Sequence, residues 1–204
     1  MTEAKKIYAR IDEADPGAIF IPSDFFDLAS PDNTNNILSR LAKQGIIERV
    51  LRGIYAKPKH SALLDKNVPP DPNDVAHAIA RTNGWSIAPA GDTALNTLGL
   101  DTQVPAVHSY ISSGPYKNYR YGPFDIVFKR VANRDIVNRT EKTSTIIQAL
   151  KSLGRAGITD RIVQKLASAL SDDDVTTVLD ETQNATSWIY ETMKQVKEAR
   201  RCIK

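Results

Sequence analysis

The chain has 204 residues, of which 41% are hydrophobic and 25% charged, and it carries a formal net charge of +3 with a pI near 8.9. This composition excludes a disordered or low-complexity protein. The length is sufficient for one large domain or two small ones, each with its own core. The mild positive charge is compatible with a nucleic-acid partner, but it is equally compatible with many enzymes.

Cysteine content and hydropathy indicate where the protein works. The single cysteine, Cys202, rules out an intramolecular disulfide and a thiolate metal cage, which favours a reducing compartment. The first residues contain no apolar run of signal-peptide length, and no stretch approaches 18 apolar residues. We therefore expect a cytoplasmic protein that does not enter the membrane.

The first predicted elements are a helix, a short extended run and a second, shorter helix. Ile7 and Ile11 recur at helical spacing, and the segment ADPG ends that helix because Pro16 cannot continue it. The run AIFI is β-prone. Ser23 is a suitable cap for a short helix over residues 24–28.

A longer helix is predicted in the segment SPDNTNNILSRLAKQG. Ser30 is a suitable N-cap, Pro31 suits the first helical position, and Gly45 ends the helix after about Gln44. At 100° per residue, this helix has an inner face suited to a core and a polar outer face. The inner face consists of Thr34, Ile37, Leu38 and Leu41, and the outer face consists of Asp32, Asn35, Asn36, Ser39, Arg40 and Lys43.

A tight hairpin is predicted directly after this helix. The β-prone runs IIERVL and IYAK are joined by only two residues, Arg52 and Gly53. The resulting order is helix, extended piece, helix, helix and hairpin. This order predicts a winged helix-turn-helix domain over residues 1–65.

The rest of the chain is predicted to form a second domain. The proline-rich segment KNVPPDPND indicates a linker at about 66–73, and the second domain spans 66–204. It opens with a helix that Gly84 ends, followed by a short strand, a short helix and the β-prone runs AVHSYISS and PFDIVFKRVA. Helices are then expected near 143–153, 159–169, 172–181 and 186–199. The predicted fold class is α+β, a winged helix-turn-helix followed by a mixed α/β domain with a small sheet and a C-terminal run of helices.

The outer face of the longer helix and the hairpin carry residue types that contact DNA. Asparagine, serine, arginine and lysine can hydrogen-bond base edges in the major groove, and the hairpin places further cations beside the phosphate backbone. The alternatives are an ordinary solvated face or a protein-binding surface. The candidate DNA-binding residues are Asn35, Asn36, Ser39, Arg40, Lys43, Arg49, Arg52 and Lys57.

A second basic region lies between and within the later β-prone runs. Its cations are interleaved with tyrosines, and aromatic rings among cations can stack on and neutralise a nucleic acid. An exposed hairpin that uses tyrosine for its strand propensity explains the same pattern equally well. The candidate residues of this secondary patch are Lys117, Tyr119, Arg120, Lys129 and Arg130.

The sequence contains no complete catalytic or metal-binding motif. His60, His77 and His108 lie far apart, and no phosphate-binding loop or nucleophile motif is present. Asp125 stands four residues before Lys129, as in metal-dependent nucleases, but Val127 occupies the position of the second carboxylate. We therefore expect no catalytic residue, metal or cofactor. A nuclease-like enzyme with a winged-helix targeting module is the alternative.

Three segments together resemble the AbiEi-type antitoxin family of abortive-infection toxin–antitoxin systems, and within it the shorter members described only as a domain of unknown function. These segments are LAKQGIIERVLRGIYAKP, GDTALNTLGLDTQVPAVHSYISSGP and FDIVFKRV. The resemblance implies a type IV antitoxin whose winged helix binds double-stranded DNA repeats in its own promoter and represses the operon. The second domain would counter a nucleotidyltransferase-type toxin without having to bind it. DNA reading would fall on Asn35, Asn36, Ser39, Arg40 and Lys43, with the wing at Arg49 and Arg52.

Overall fold

The structure is a computed structural model that describes residues 2–63, 65–183 and 185–202, apart from the side chain of Arg134. The described residues form eight α-helices and nine short strands, so the predicted α+β class is confirmed. The chain divides into two compact units. The first comprises Met1–Trp85 with Arg120–Pro123, and the second comprises Ser86–Tyr119 with Phe124–Lys204.

The first unit contains the predicted order of elements. Ile7 and Ile11 are buried on the first helix, as their spacing predicts. The short helix predicted over 24–28 is instead a 3-10 helix over Pro22–Phe25, because the Asp24 carboxylate accepts from the Ile21 N–H and starts the turn earlier. The elements are α1 (Glu3–Glu13), β1 (Ile19–Phe20), the 3-10 helix, α2 (Pro31–Lys43), β2 (Glu48–Leu51) and β3 (Ile54–Ala56).

The three strands form an antiparallel sheet in the order β1-β3-β2. Tyr55 on β3 pairs with Phe20 on one side and with Arg49 on the other. The predicted two-residue turn at Arg52 and Gly53 joins β2 to β3, and Gly53 adopts the positive φ of +76° that this tight turn requires.

The core of this unit lies between α1, α2 and the sheet. Phe25 and Leu38 have no exposed surface, and Ile47 exposes 1% of its surface. The α2 face predicted to point inward is buried throughout, and Ser30 caps the helix by accepting from the Asn33 N–H. Burial of Thr34 is compatible with its polarity because its hydroxyl donates to the Ala29 carbonyl at 3.4 Å.

Residues 57–85 complete the first unit with a small hairpin and a helix. The composition of residues 66–73 predicts a linker and a new domain, whereas the structure includes the following helix in the first unit. That helix contacts β1 and β3, and its Arg81 donates to Asp24 at 2.7 Å. Prolines interrupt helical periodicity, but they do not prevent the chain from packing back on itself. The elements are β4 (His60–Ser61), β5 (Lys66–Asn67) and α3 (Pro72–Asn83).

A four-stranded mixed sheet follows in the order β6-β7-β9-β8. Strands β6 and β7 are antiparallel, while β7 and β9 are parallel, with Val107 opposite Asp125. Part of the second basic region forms β8, which lies at the edge of the sheet beside β9. The elements are β6 (Ile87–Pro89), α4 (Asp92–Thr97), β7 (Val107–Ser112), β8 (Lys117–Tyr121) and β9 (Phe124–Arg130).

Four helices close the second unit, each within two residues of its predicted bounds. They enclose a core of aliphatic side chains from all four helices, with Ile146, Leu150, Leu166 and Ile189 fully buried. No helix in the described ranges has both the length and the apolar character that crossing a membrane would need. The helices are α5 (Glu141–Leu153), α6 (Asp160–Ala169), α7 (Asp172–Thr182) and α8 (Ser187–Arg201).

Lys57 holds the end of α1 in place. Its ammonium donates to the carbonyls of Asp12, at 2.6 Å, and Ala14, at 2.8 Å. Carbonyls at the end of a helix accept no hydrogen bond from within the helix. A cation near a helix C-terminus also interacts favourably with the helix dipole. Lys57 is half-buried, so this contact is part of the fold.

The start of α7 is fixed by a reciprocal cap. Ser171 Oγ accepts from the Asp174 N–H, and the Asp174 carboxylate accepts from the Ser171 N–H. Lys142 of α5 donates to the same carboxylate at 2.7 Å. The hydrogen bond from Lys142, followed by those from Ser171, lowers the pKa of Asp174 from 3.8 to about 2.

We expect Lys57→Met to lower the free energy of unfolding by about 1–2 kcal/mol, because two hydrogen bonds from a charged donor are lost. Lys59→Met is the matched control, since Lys59 is an exposed lysine two residues away. It should change stability by less than about 0.5 kcal/mol. Chemical denaturation followed by circular dichroism measures both. Equal effects of the two variants would mean that the contact of Lys57 with α1 contributes nothing.

We expect Asp174→Ala to lower the Tm by about 2–4 °C at pH 7, because loss of a helix cap costs about 1 kcal/mol. The folded pKa lies below the unfolded value, so the carboxylate stabilises the fold above about pH 4 and ceases to do so as the pH falls to about 2. The Tm difference from wild type should therefore shrink between those values. Asp173→Ala, in the same turn and exposed, is the control. A difference that is constant from pH 7 to pH 2 would contradict the assignment.

Candidate nucleic-acid interface

The outer face of α2 is exposed along its whole length. Ser30 and Pro31 start the helix, and the buried inner face fixes its rotation, so the side chains on the opposite face point to solvent. The structure brings all five predicted helix residues onto this exposed surface. They are Asn35, Asn36, Ser39, Arg40 and Lys43.

Two further predicted cations lie on the hairpin that follows α2. Arg49 is exposed on β2, next to an irregularity in the pairing of β2 with β3, and Arg52 is exposed at the tip of the hairpin. A β-bulge bends a strand and redirects its side chains. Lys57, the eighth predicted residue, is half-buried with its ammonium on α1, so it is the least available of the set.

Four exposed cations of this surface have no partner inside the described part of the chain. The side chains of Arg40, Lys43, Arg49 and Arg52 form neither a hydrogen bond nor an ion pair with any described residue. Their charges are therefore available to an external anion.

Two arginines of the first unit are used internally. Arg10 forms a bidentate pair with Asp27, at 2.8 and 2.6 Å, and that hydrogen bonding raises the pKa of the guanidinium and lowers that of the carboxyl. Arg81 donates to Asp24 and thereby ties α3 to the 3-10 helix. The four cations on α2 and the hairpin are thus unpaired, and so are Lys5, Lys6, Lys59 and Lys66 elsewhere in the described part of the unit.

Acidic groups are sparse on the same surface. Between residues 33 and 59 the only acid is Glu48, and its carboxylate accepts from the Asn67 amide at 2.6 Å. Asp32 lies in the first turn of α2, where a carboxylate interacts favourably with the helix dipole. The surface from Asn35 to the hairpin tip therefore has a net positive charge.

A shallow groove lies beside α2 where the N-terminal turn of α1 approaches it. Asn36 and Arg40 line the groove on the α2 side, and Thr2, Glu3 and Ala4 line it on the α1 side. The side-chain amide of Asn33 donates to the Glu3 carboxylate across this groove. Sequence reasoning missed this contact because the two residues are 30 positions apart and neither belongs to a motif.

The secondary patch is divided between the two faces of the mixed sheet. Side chains alternate along a strand, so Lys117 and Tyr119 point to one face and Arg120 to the other. The rings of Phe128 and Tyr119 pack in a T-shaped arrangement with centres 5.8 Å apart, so Arg130 shares the Tyr119 face of the sheet and Lys129 lies on the opposite face. The five residues do not form one continuous surface.

Tyr119 is also engaged by its neighbours. It is half-buried against Phe128, and the Lys117 ammonium lies 5.1 Å from the centre of its ring. A ring that is half-buried and already engaged in these contacts has less surface on which a base could stack. Among the three tyrosines of this segment, Tyr116 is the exposed one, with 64% of its surface accessible.

The three histidines considered as metal ligands stand on three different elements. His60, His77 and His108 stand on β4, α3 and β7, and the described ranges contain no group of three His, Cys, Asp or Glu side chains arranged to hold a metal ion. Asp125 and Lys129 share one face of β9, with Val127 between them.

Comparison with known proteins places the chain in a family. The sequence matches none of the curated proteins. The family of unknown function DUF6088 matches residues 6–178, a range that includes α2, the hairpin, the mixed sheet and the helices up to α7. Because this match covers most of the chain, the protein belongs to the DUF6088 family.

Proposed function

We propose that the protein is a cytoplasmic, non-enzymatic DNA-binding regulator that represses its own promoter and acts as the antitoxin of a type IV toxin–antitoxin system. Its first unit would be a winged helix-turn-helix that binds duplex DNA, and its second unit would counter a nucleotidyltransferase-type toxin. The two halves of the proposal rest on different observations.

One observation carries the DNA-binding half. The polar face of α2 and the hairpin that follows it present amide, hydroxyl and guanidinium groups together with four cations that no described residue neutralises. A helix with such a face can enter the major groove, where these groups hydrogen-bond base edges. Unpaired cations beside it displace counterions from phosphates, which supplies most of the affinity.

The order of the elements supports a winged helix. A strand lies between α1 and the next helical segments, α2 precedes a tight hairpin, and the sheet order β1-β3-β2 places the hairpin beside that first strand. In a winged helix-turn-helix, the second of the two paired helices reads DNA bases, and the hairpin contacts the phosphate backbone beside them. Arg49 and Arg52 would be the backbone contacts, and Lys57 is left out because it holds α1.

The antitoxin half rests on the resemblance of three segments to AbiEi-type antitoxins. Two of these segments, GDTALNTLGLDTQVPAVHSYISSGP and FDIVFKRV, span α4, β7 and β9. The partner would be a nucleotidyltransferase-type toxin encoded alongside, and neutralisation need not involve direct contact. We assign no individual residue to this activity.

We expect the protein to bind DNA from immediately upstream of its own gene more tightly than a scrambled duplex, and binding should weaken as salt rises. Arg40→Ala should cost about 1–3 kcal/mol on the upstream duplex. Arg52→Ala should weaken binding to both duplexes and reduce the slope of log affinity against log salt by about 1. Fluorescence anisotropy at several salt concentrations measures these quantities. Lys151→Ala, which removes an exposed lysine of α5, is the control.

Equal and weak binding to both duplexes would reject the regulator. Losses below about 0.5 kcal/mol at both arginines would instead reject the placement of α2 and the hairpin on DNA, since surface changes away from a contact have effects of that size.

We expect co-expression with a neighbouring nucleotidyltransferase-type toxin, each gene under its own inducible promoter, to restore growth that the toxin alone arrests. Arg40→Ala and Arg52→Ala should restore growth as well as wild type, because antitoxin activity is assigned to the second unit. Growth curves with matched protein levels, checked by immunoblot, test this. Persistent arrest with wild-type protein present would reject the antitoxin half and leave DNA binding standing.

A further inference from the structure

The outer residues of α2 are not equivalent in position. At 100° per residue, Asp32, Asn36, Ser39 and Lys43 form a stripe along the middle of the exposed face, with spacings of four, three and four. Arg40 follows Asn36 by one turn and lines the same groove beside α1. Asn35 lies on the opposite side of the stripe from Arg40 and does not line that groove. Of the three asparagines of α2, Asn36 therefore lies nearest to the middle of the exposed face.

The three asparagines of α2 also differ in their hydrogen bonding. An asparagine reads adenine with both amide atoms, because Nδ2 donates to N7 while Oδ1 accepts from the N6 amino group. Asn33 already donates its Nδ2 to the Glu3 carboxylate. The side chain of Asn36 forms no hydrogen bond with any residue that the structure describes. Both the Nδ2 donor and the Oδ1 acceptor of Asn36 are therefore available to a base.

Arg40 is equally available. Its guanidinium has no ion pair within the described chain, and a bidentate contact to O6 and N7 of guanine is the commonest specific use of arginine in the major groove. Residues four apart on a helix are separated by about 6 Å along the axis. Successive base pairs are about 3.4 Å apart. Two side chains so placed reach bases about two pairs apart.

We propose that Asn36 and Arg40 are the specificity-determining pair of α2. Asn36 selects the adenine of an A·T pair, and Arg40 selects a guanine about two base pairs away. This inference rests on the proposed DNA-binding function and adds the kind of base sequence that the helix recognises. Lys43, Arg49 and Arg52 contribute affinity through phosphate contacts, which carry no sequence information.

The test is a selection from a library of random DNA duplexes with the full-length chain. The wild type should enrich a motif that contains an adenine and a guanine about two base pairs apart. Asn36→Ala should remove the preference at the adenine alone, and Arg40→Ala should remove it at the guanine alone. Each lost preference should amount to about 5- to 150-fold. Asn33→Ala is the matched control and should enrich the wild-type motif.

The outcomes separate this inference from the function on which it rests. If the wild type enriches no motif, the sequence-specific regulator fails, and the inference fails with it. If the wild type enriches a motif that Asn36→Ala and Arg40→Ala leave intact, only the assignment of the reading pair is overturned. Because both positions are exposed, each variant should keep the wild-type Tm. A variant with a lowered Tm is replaced by Asn36→Ser or Arg40→Gln, which must give the same selective loss.

Discussion

The arrangement of the first unit depends on the burial of one face of α2. Thr34, Ile37, Leu38 and Leu41 are all at most 5% exposed, and they seat the helix on α1 and the 3-10 helix. This contact fixes both the position of α2 and its rotation about its own axis. Because a helix repeats every 3.6 residues, burying one face determines which side chains reach solvent on the other. The proposed reading surface is therefore a consequence of core packing.

The cations of the first unit fall into two groups, those that contact other groups of the unit and those that have no partner among the described residues. Arg10 and Arg81 pair with carboxylates, and Lys57 donates to carbonyls at the end of α1, so these cations are occupied within the unit. The cations on the outer face of α2 and on β2 and its turn have no such partner among the described residues. A surface pair contributes little stability, whereas an unpaired cation keeps its full attraction for phosphate. The unpaired set is thus better suited to binding than to stabilisation.

The second unit is built around a core of its own. Its four helices enclose an aliphatic core, and its strands form a mixed sheet in which β7 and β9 are parallel although only β8 and short connections separate them. Because successive side chains of a strand point to opposite faces, Lys129 and Arg130 of β9 lie on opposite faces of the sheet. The basic character of the segment is therefore dispersed, and the DNA-binding proposal depends on the first unit alone.

The sequence by itself determined the elements whose signals are local. Helical spacing, together with the cap at Ser30 and Pro31, was sufficient to place α2 and its two faces. The two-residue turn at Arg52 and Gly53 was sufficient to place the hairpin. Caps, turns and periodicity all act within a few residues. Only the tertiary structure decided which strands pair, that α3 packs with the first unit, that Lys57 is occupied and that Glu3 engages Asn33. Each of these depends on contacts between residues distant in the chain, and single-residue preferences carry no information about such contacts.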